Sequence, residues 1–424
     1  MVGKGKGCMK FFPVGIILFF CLLIISPRSY SQDDPYEIDS FPFIDYNANQ
    51  ITIFGGQESY QTLFEKLTQI GLKGEGKVSI VHMGDSHLQA DYFSGHFRKH
   101  LQTFFLGAMG GRGFIFPYKV AGTNNPLNYT VSSKGKWESC KSIERKKNCT
   151  LGLSGIAVMT SDSNASITIS ITDPLLEGYD FDRLMIFHAF GSDQFQPSVS
   201  TSTKVTNIQP FPDKGYTLFE FSENLQKVTL KLNKKNFSQT GFTLYGMNFD
   251  SNDSGIIYHT IGVNGAQIES YLSCDFFVPH LAALNPDWVI VSLGTNDSYT
   301  YTFDSLAFTQ KVDDLIGLIK RAAPKSAILF ATPGDHRLKK SKTNPNTELV
   351  AQIIKQKAKE HQLSYWDFYQ VMGGKGSVNA WHHEAMANYD YLHLTQKGYE
   401  FQSKLLFTAF LKSYDEFLAK EVLK

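Results

Sequence analysis

The chain has no surplus of either charge. Lys and Arg number 41 against 40 Asp and Glu, a formal net charge of +1, so it offers no basic field suited to nucleic acid. It is also poor in cysteine, with five in 424 residues, and no set of Cys and His has the spacing of a zinc site. No short internal repeat, low-complexity tract or heptad run stands out. Gly110-Gly111-Arg112-Gly113 lacks the Lys-Ser/Thr of a phosphate loop and the helix pattern that should follow one. It reads as a flexible loop at a domain junction, from which Arg112 can still reach a substrate carboxylate.

A run long enough to span a membrane is missing too. The apolar stretch Phe11 to Ile25 falls short of the ~20 residues a span needs. With Lys4, Lys6 and Lys10 before it and Ser29-Tyr30-Ser31 after it, it reads as a secretory signal, residues 1–31, cut after Ser31. An uncleaved membrane anchor is the alternative. Cleavage removes Cys8 and Cys21 and leaves Cys140, Cys149 and Cys274, with no stable membrane span. In an oxidising compartment Cys140 and Cys149 can close a short loop, and Cys274 reads as a buried small hydrophobe. The expectation is export to the periplasm, the outer membrane or beyond.

The length exceeds that of a typical single domain. Aromatic content is 14%, with 34 Phe and 20 Tyr, in keeping with large β-cores. After an arm over 32–55, apolar strands and helix-period segments alternate. A strand at Val78–Met83 is followed by helical patterns around Ala90–Phe105, Phe308–Ala323 and Thr347–His361, further strands at Val289 and Ala327, and a last helix after Thr395. Such βα alternation predicts a mainly parallel sheet with helices on both faces. Between 118 and 257 the period changes to two, as in Ser166–Ile171 and Lys227–Leu232, with Gly, Pro, Asn and Asp turns between. That stretch predicts an antiparallel sandwich. The expected plan is a core over 32–117 and 258–424, interrupted by a β-domain over 118–257.

The chemistry-bearing residues sit at strand ends. Gly84-Asp85-Ser86-His87 leaves the first buried strand, placing a serine hydroxyl at the C-terminal edge of the sheet. A serine needs an imidazole to take its proton and a carboxylate to hold that imidazole in the right tautomer. Asp390-Tyr391-Leu392-His393 supplies both types. Between these ends lie Ile261-Gly262-Val263-Asn264-Gly265 and Ser292-Leu293-Gly294-Thr295-Asn296.

With these four blocks in this order the chain resembles the SGNH (GDSL-type) hydrolases, whose fold is a flavodoxin-like α/β/α sandwich. The resemblance implies Ser86 as nucleophile, His393 as base and Asp390 as its orienter. It also implies an oxyanion hole made of the Ser86 N–H, the Gly265 N–H and the Asn296 amide, with no metal or organic cofactor. Gly262 is the alternative to Gly265. Gly84–Asp91 with Arg98, Leu101-Gln102 and Gly110–Phe114 further resembles exported peptidoglycan O-acetylesterases, which carry a carbohydrate-binding-module-like insertion.

Each residue also has a plainer reading. Asp85 braces the turn rather than serving as the triad acid. His87, His382 and His383 are the other histidines able to serve the site, and His87, Asp85 and Trp381 are candidates to line its pocket. Asp335-His336 reads as a solvated loop beside the cleft. The expected activity is removal of O-acetyl groups from a cell-wall glycan, with an O-acetylated glycan, peptidoglycan foremost, as partner. The alternatives are a polysaccharide O-acetyltransferase, an esterase for another acylated polysaccharide, a lipase, and a carbohydrate-binding protein with a degenerate core.

Overall fold

The central sheet is assembled from short apolar strands that recur along the whole chain. The computed structural model describes residues 1–3, 34–105, 107–144, 149–176 and 178–422. The secretory-signal segment lies almost wholly outside them. Residues 38–424 form one compact unit, to which all that follows refers. Its α/β part comprises β1 (Ile51–Ile53), α1 (Gln57–Lys73), β2 (Lys77–Gly84), α2 (Ser86–Gln89), α3 (Tyr92–Phe104), β3 (Gly255–Gly262), β4 (Trp288–Ser292), α4 (Thr295–Ser298), α5 (Ser305–Ala322), β5 (Ala327–Ala331), α6 (Asn346–Glu360), β6 (Ser364–Trp366) and α7 (Gln396–Val422).

The sheet order is β1-β6-β5-β4-β2-β3. All pairs are parallel except β1 with β6. Ile51-Thr52-Ile53 thus leaves the expected arm and closes the sheet as an antiparallel edge strand, burying Ile51. Among the five parallel strands the order is 2-1-3-4-5, and it reverses between β2 and β4. Ligands of open α/β sheets bind outside the carboxyl ends of the strands at such a reversal.

Period-two alternation divides the core. Val78, Ile80, Trp288, Ile290 and Leu329 pack on one face with Leu67 of α1, Phe97 of α3 and Leu406 of α7. Val81, Met83, Val289, Val291 and Phe330 pack on the other with Leu315 of α5 and Ile354 of α6. A strand buried on both faces reads as a continuous apolar run, as β4 and β5 do.

The inserted strands form two antiparallel sheets. One runs in the order 205–211, 216–225, 181–188, 242–250, 156–160 and 138–141, with 113–115 also paired to 242–250. The other runs 129–134, 166–171, 227–233 and 196–200. Antiparallel pairing therefore begins at Gly113 and ends at Asp250, and parallel pairing resumes at Gly255. Cys140 and Cys149 are joined by a disulfide, and Cys274 is buried, its Sγ donating to Ser270 O at 3.3 Å.

The glycine-rich segment is not a flexible loop. Arg112 is buried, and its Nη2 donates to Asp91 Oδ2 at 2.7 Å and to Asn128 Oδ1 at 2.9 Å. It is committed to the interior and unavailable to a substrate. Asp91 Oδ2 also accepts from Arg98 Nη1 at 2.9 Å, while Arg98 Nη2 reaches Asp173 Oδ2 at 2.8 Å. Burial raises the Asp91 carboxyl, but Arg98 and Arg112 outweigh it and hold the group below its ordinary value. This cluster ties α3 to residue 112 and to residues 128 and 173 of the insertion. Among the described residues no helix is long and apolar enough to cross a membrane, and no group of His, Cys, Asp and Glu is arranged to hold a metal ion.

Candidate active site

The reversal point holds three of the predicted blocks. β2 ends at Gly84 and its chain turns at once into α2, so Ser86 stands at the first position of a helix. There its N–H has no intrahelical acceptor. β4 ends two residues before Gly294, and α4 then carries Asn296. His393 comes from the loop before α7, whose start Thr395 caps: its Oγ1 accepts from Gly398 N at 3.2 Å.

These separate segments meet. Ser86 Oγ lies 2.9 Å from His393 Nε2, and His393 Nδ1 lies 2.7 Å from Asp390 Oδ2. Asp390 Oδ1 accepts from the backbone N–H of Leu392 and of His393, each at 3.0 Å. The hydrogen bond to Asp390 is the chief cause that raises the His393 imidazole above its usual value, against burial. Burial acts to raise Asp390, but the bonds from His393 and the two N–H groups hold it well below the carboxylate range. Tyr391, between the two, takes the left-handed φ of 52°, which folds the loop so that residues 390 and 393 face each other.

Gly265 is exposed with φ 81°, and among the described residues its N–H is given to no protein acceptor. Gly262 is closed off. A Cβ there would lie 2.4 Å from Gln89 N, and its carbonyl accepts from Tyr118 Oη at 2.7 Å. The Asn296 amide is already committed. Its Nδ2 donates to Asp85 Oδ2 at 3.1 Å and to Ala266 O at 3.0 Å, so a substrate oxygen must displace or share one of these bonds.

Asp85 does brace the turn, accepting from His87 N at 3.0 Å, and it also holds Asn296. It is fully enclosed, and burial pushes its carboxyl up to about 7. The His87 Nδ1 pairs with Tyr399 Oη at 2.9 Å, and burial lowers its imidazole to about 3. It borders a cavity of about 40 Å³ whose walls include Thr295, Asp335, Leu392 and Leu394 but not Ser86.

Trp381 is not a pocket residue. It is fully buried, donates Nε1 to Met372 O at 3.0 Å and packs among Phe43, Phe368 and Phe401, because a large indole here completes an aromatic core. His382 pairs with Ala387 O and His383 is exposed beside Glu384. Asp335 and His336 are not solvated; both are buried, and His336 Nε2 pairs with Ser298 Oγ at 3.2 Å.

A family model for GDSL-like lipases/acylhydrolases matches residues 244–401. The matched stretch contains Gly265, Asn296, Asp390 and His393, and the fold adds Ser86 to them. That stretch of the chain is similar to the GDSL-like lipases/acylhydrolases.

A solved structure titled as a peptidoglycan O-acetylesterase in action is 22% identical to this chain, with a TM-score of 0.70 over 86% of this chain and 99% of that chain. A lipase/acylhydrolase from Enterococcus faecalis is 18% identical over 37% of this chain and 75% of its own, with a TM-score of 0.29. A GDSL-like lipase from Bacteroides thetaiotaomicron is 19% identical over 37% and 76%, also at 0.29. No curated protein matches the sequence.

Two residues that support the site had no role assigned from the sequence. Gln89 Oε1 accepts from Asn264 N at 2.8 Å, fixing the loop that presents Gly265, and its Nε2 reaches Thr123 Oγ1 and Asn124. Tyr399 occupies His87. The available signal for Gln89 was its position one turn after Ser86 on α2; Tyr399 gave none, since 312 residues separate it from His87.

Proposed function

We propose that the chain is an exported serine esterase that removes O-acetyl groups from a cell-wall glycan, with peptidoglycan as the favoured substrate. The observation that carries this is the 2.9 Å contact between Ser86 Oγ and His393 Nε2, backed by Asp390. Ser86 attacks the acetyl carbonyl while His393 accepts its proton, and Asp390 stabilises the imidazolium that forms. The Ser86 and Gly265 N–H groups and the Asn296 amide receive the oxyanion. His393 then gives that proton to the departing sugar oxygen, which leaves as a hydroxyl, and water, deprotonated in turn by His393, discharges the acetyl-enzyme as acetate.

Support for the glycan comes from the fold shared with a structure titled as a peptidoglycan O-acetylesterase. Support for export comes from the Cys140–Cys149 disulfide, a bond that persists in oxidising compartments. We assign the inserted sheets the task of steering polymer into the cleft. Thr123 and Asn124 of the insertion hydrogen-bond Gln89 and Asn264 beside Gly265, and remote sugar contacts can position the acetyl group over Ser86.

Mass spectrometry of muropeptides before and after incubation with the purified chain tests this reading. Loss of acetyl mass, absent with Ser86→Ala of intact fold, is expected. Unchanged muropeptides from an enzyme that still cleaves p-nitrophenyl acetate would remove peptidoglycan as the substrate.

A further inference from the structure

A small hairpin beside the site concentrates positive charge in an otherwise balanced chain. Residues 335–343, Asp-His-Arg-Leu-Lys-Lys-Ser-Lys-Thr, hold four cations, Arg337, Lys339, Lys340 and Lys342, and one acid. The strands Arg337–Leu338 and Lys342–Thr343 pair antiparallel, and Ser341 N returns to Leu338 O. Among the described residues none of the four cations has an ion-pair partner. The acid, Asp335, is buried; its Oδ2 accepts from Val378 N, and it feels Arg337 and Lys375 only through the field.

This hairpin is clamped to two loops that carry the site. On one side Arg337 N donates to Tyr391 O at 2.9 Å, and the Arg337 guanidinium lies 3.7 Å from the centre of the Tyr391 ring. Tyr391 sits between Asp390 and His393. On the other side Lys339 N donates to Tyr299 Oη at 3.0 Å, Lys339 Nζ lies 4.8 Å over the Tyr301 ring, and Asn344 Nδ2 reaches Ser298 O. Those groups belong to α4, which holds Asn296, and to the loop after it. Tyr301 and Tyr389 are exposed at 68% and 85%, giving two open aromatic faces of the kind on which sugars stack.

The backbone at the tip favours other residues. Lys339 and Lys340 have φ of 48° and 64°, the double left-handed pair of a type I′ turn, for which Asn-Gly is preferred and lysine is sterically disfavoured. Two lysines held in an unfavourable conformation, uncompensated by carboxylates, point to a role for their charge. Arg337 is pre-set rather than mobile. Its Nε and Nη2 donate to Asn379 Oδ1, and its Nη1 donates to Lys340 O, all neutral acceptors that leave its positive charge unmatched.

We propose that this hairpin, with Arg337, Lys339 and Lys340, is a subsite for a carboxylate of the substrate, so that the preferred ester is an O-acetylated glycan bearing carboxylates near the acetylated sugar rather than a neutral polysaccharide. The inference rests on the glycan-esterase reading above. Carboxylates on a peptide substituent and carboxylates on a uronic acid present the same chemistry, and the test separates them.

Initial rates are measured on O-acetylated muropeptides and on O-acetylated uronate oligosaccharides, each beside the same material with its carboxyls amidated, with p-nitrophenyl acetate as reference. Wild type should favour the free-carboxylate form of at least one pair by about fivefold to tenfold in kcat/KM, the scale of one or two partly exposed ion pairs, and salt should erode the preference. The double variant Lys339→Asn/Lys340→Gly installs the preferred turn pair, so its thermal stability should equal or exceed that of wild type while the preference shrinks, chiefly through KM. Arg337→Ala should shrink it further. Equal rates on free and amidated forms, or a preference untouched in both variants, overturn the subsite alone. Failure to deacetylate any glycan while p-nitrophenyl acetate is cleaved overturns the glycan reading and the subsite with it.

Discussion

Two polar clusters take members, Ser86 and Asp91, from one short stretch of the chain, and they do opposite things. Asp91, Arg98, Asp173 and Arg112 lie at 1–2% side-chain exposure, with each carboxylate facing a guanidinium. Ser86, His393 and Asp390 are only half enclosed, with side-chain exposures of 35% and 33% for the last two. Within the buried cluster it is the Asp91 carboxylate that is saturated. Asp91 alone accepts from Arg98, Arg112, Asn128, Ser94 and Thr260, leaving no lone pair for a ligand. The half-open cluster keeps one end free, since among the described residues Ser86 Oγ has a hydrogen bond to His393 alone. What separates architecture from chemistry here is the unfilled valence of hydrogen bonding at one end of a chain of polar groups. Charge and burial alone would have ranked the wrong cluster first.

The largest contrast comes from removing the reacting atom. Ser86→Ala should lower kcat for an acetyl ester by at least about 10⁴-fold while shifting the free energy of unfolding by no more than about 1 kcal/mol, the worth of one lost hydrogen bond. Urea titration and p-nitrophenyl acetate turnover on one preparation check both halves. Arg98→Met should do the reverse. Stranding Asp173 and half of Asp91 in the interior costs about 3–5 kcal/mol of stability, read as a fall in the denaturation midpoint, and the molecules that remain folded should lose far less turnover than Ser86→Ala does.

Asn296→Ala tests whether the bonds from its amide to Asp85 and Ala266 yield to substrate. A fall in kcat of about 10²–10³-fold is expected if the amide serves the oxyanion; a fall confined to stability would make Asn296 a brace and move it into the architectural class. The smallest effect is on pH dependence. His393 must be neutral to accept the serine proton, and Asp390 raises its pKa, so kcat/KM should fall with acid about a midpoint above the ordinary imidazole value of 6.5. In Asp390→Asn the negative charge that favours imidazolium is gone, so the midpoint should move down, alongside a lower plateau. An unmoved midpoint would mean that another group titrates.

Much of this was legible in the chain because it depends on local pattern. Period-two and helix-period segments gave the parallel sheet, the inserted antiparallel strands and the position of Ser86, Asn296 and His393 at element ends, since those periods express which face is buried. Trp381, Asp335 and Arg112 were misjudged for one reason. Polarity or size in a turn-rich segment says nothing about whether distant elements will close over it, and here residues 43, 368 and 401 enclose Trp381 while Asp91 and Asn128 receive Arg112. The sequence by itself determined the residue types of the reacting chain and the alternation of strand and helix segments, because both follow from short-range spacing. The tertiary structure decided that Asn296 is held by Asp85, that His87 is taken by Tyr399, and that a lysine-tipped hairpin spans two catalytic loops, because each joins groups far apart in the chain whose meeting is set by how the layers pack.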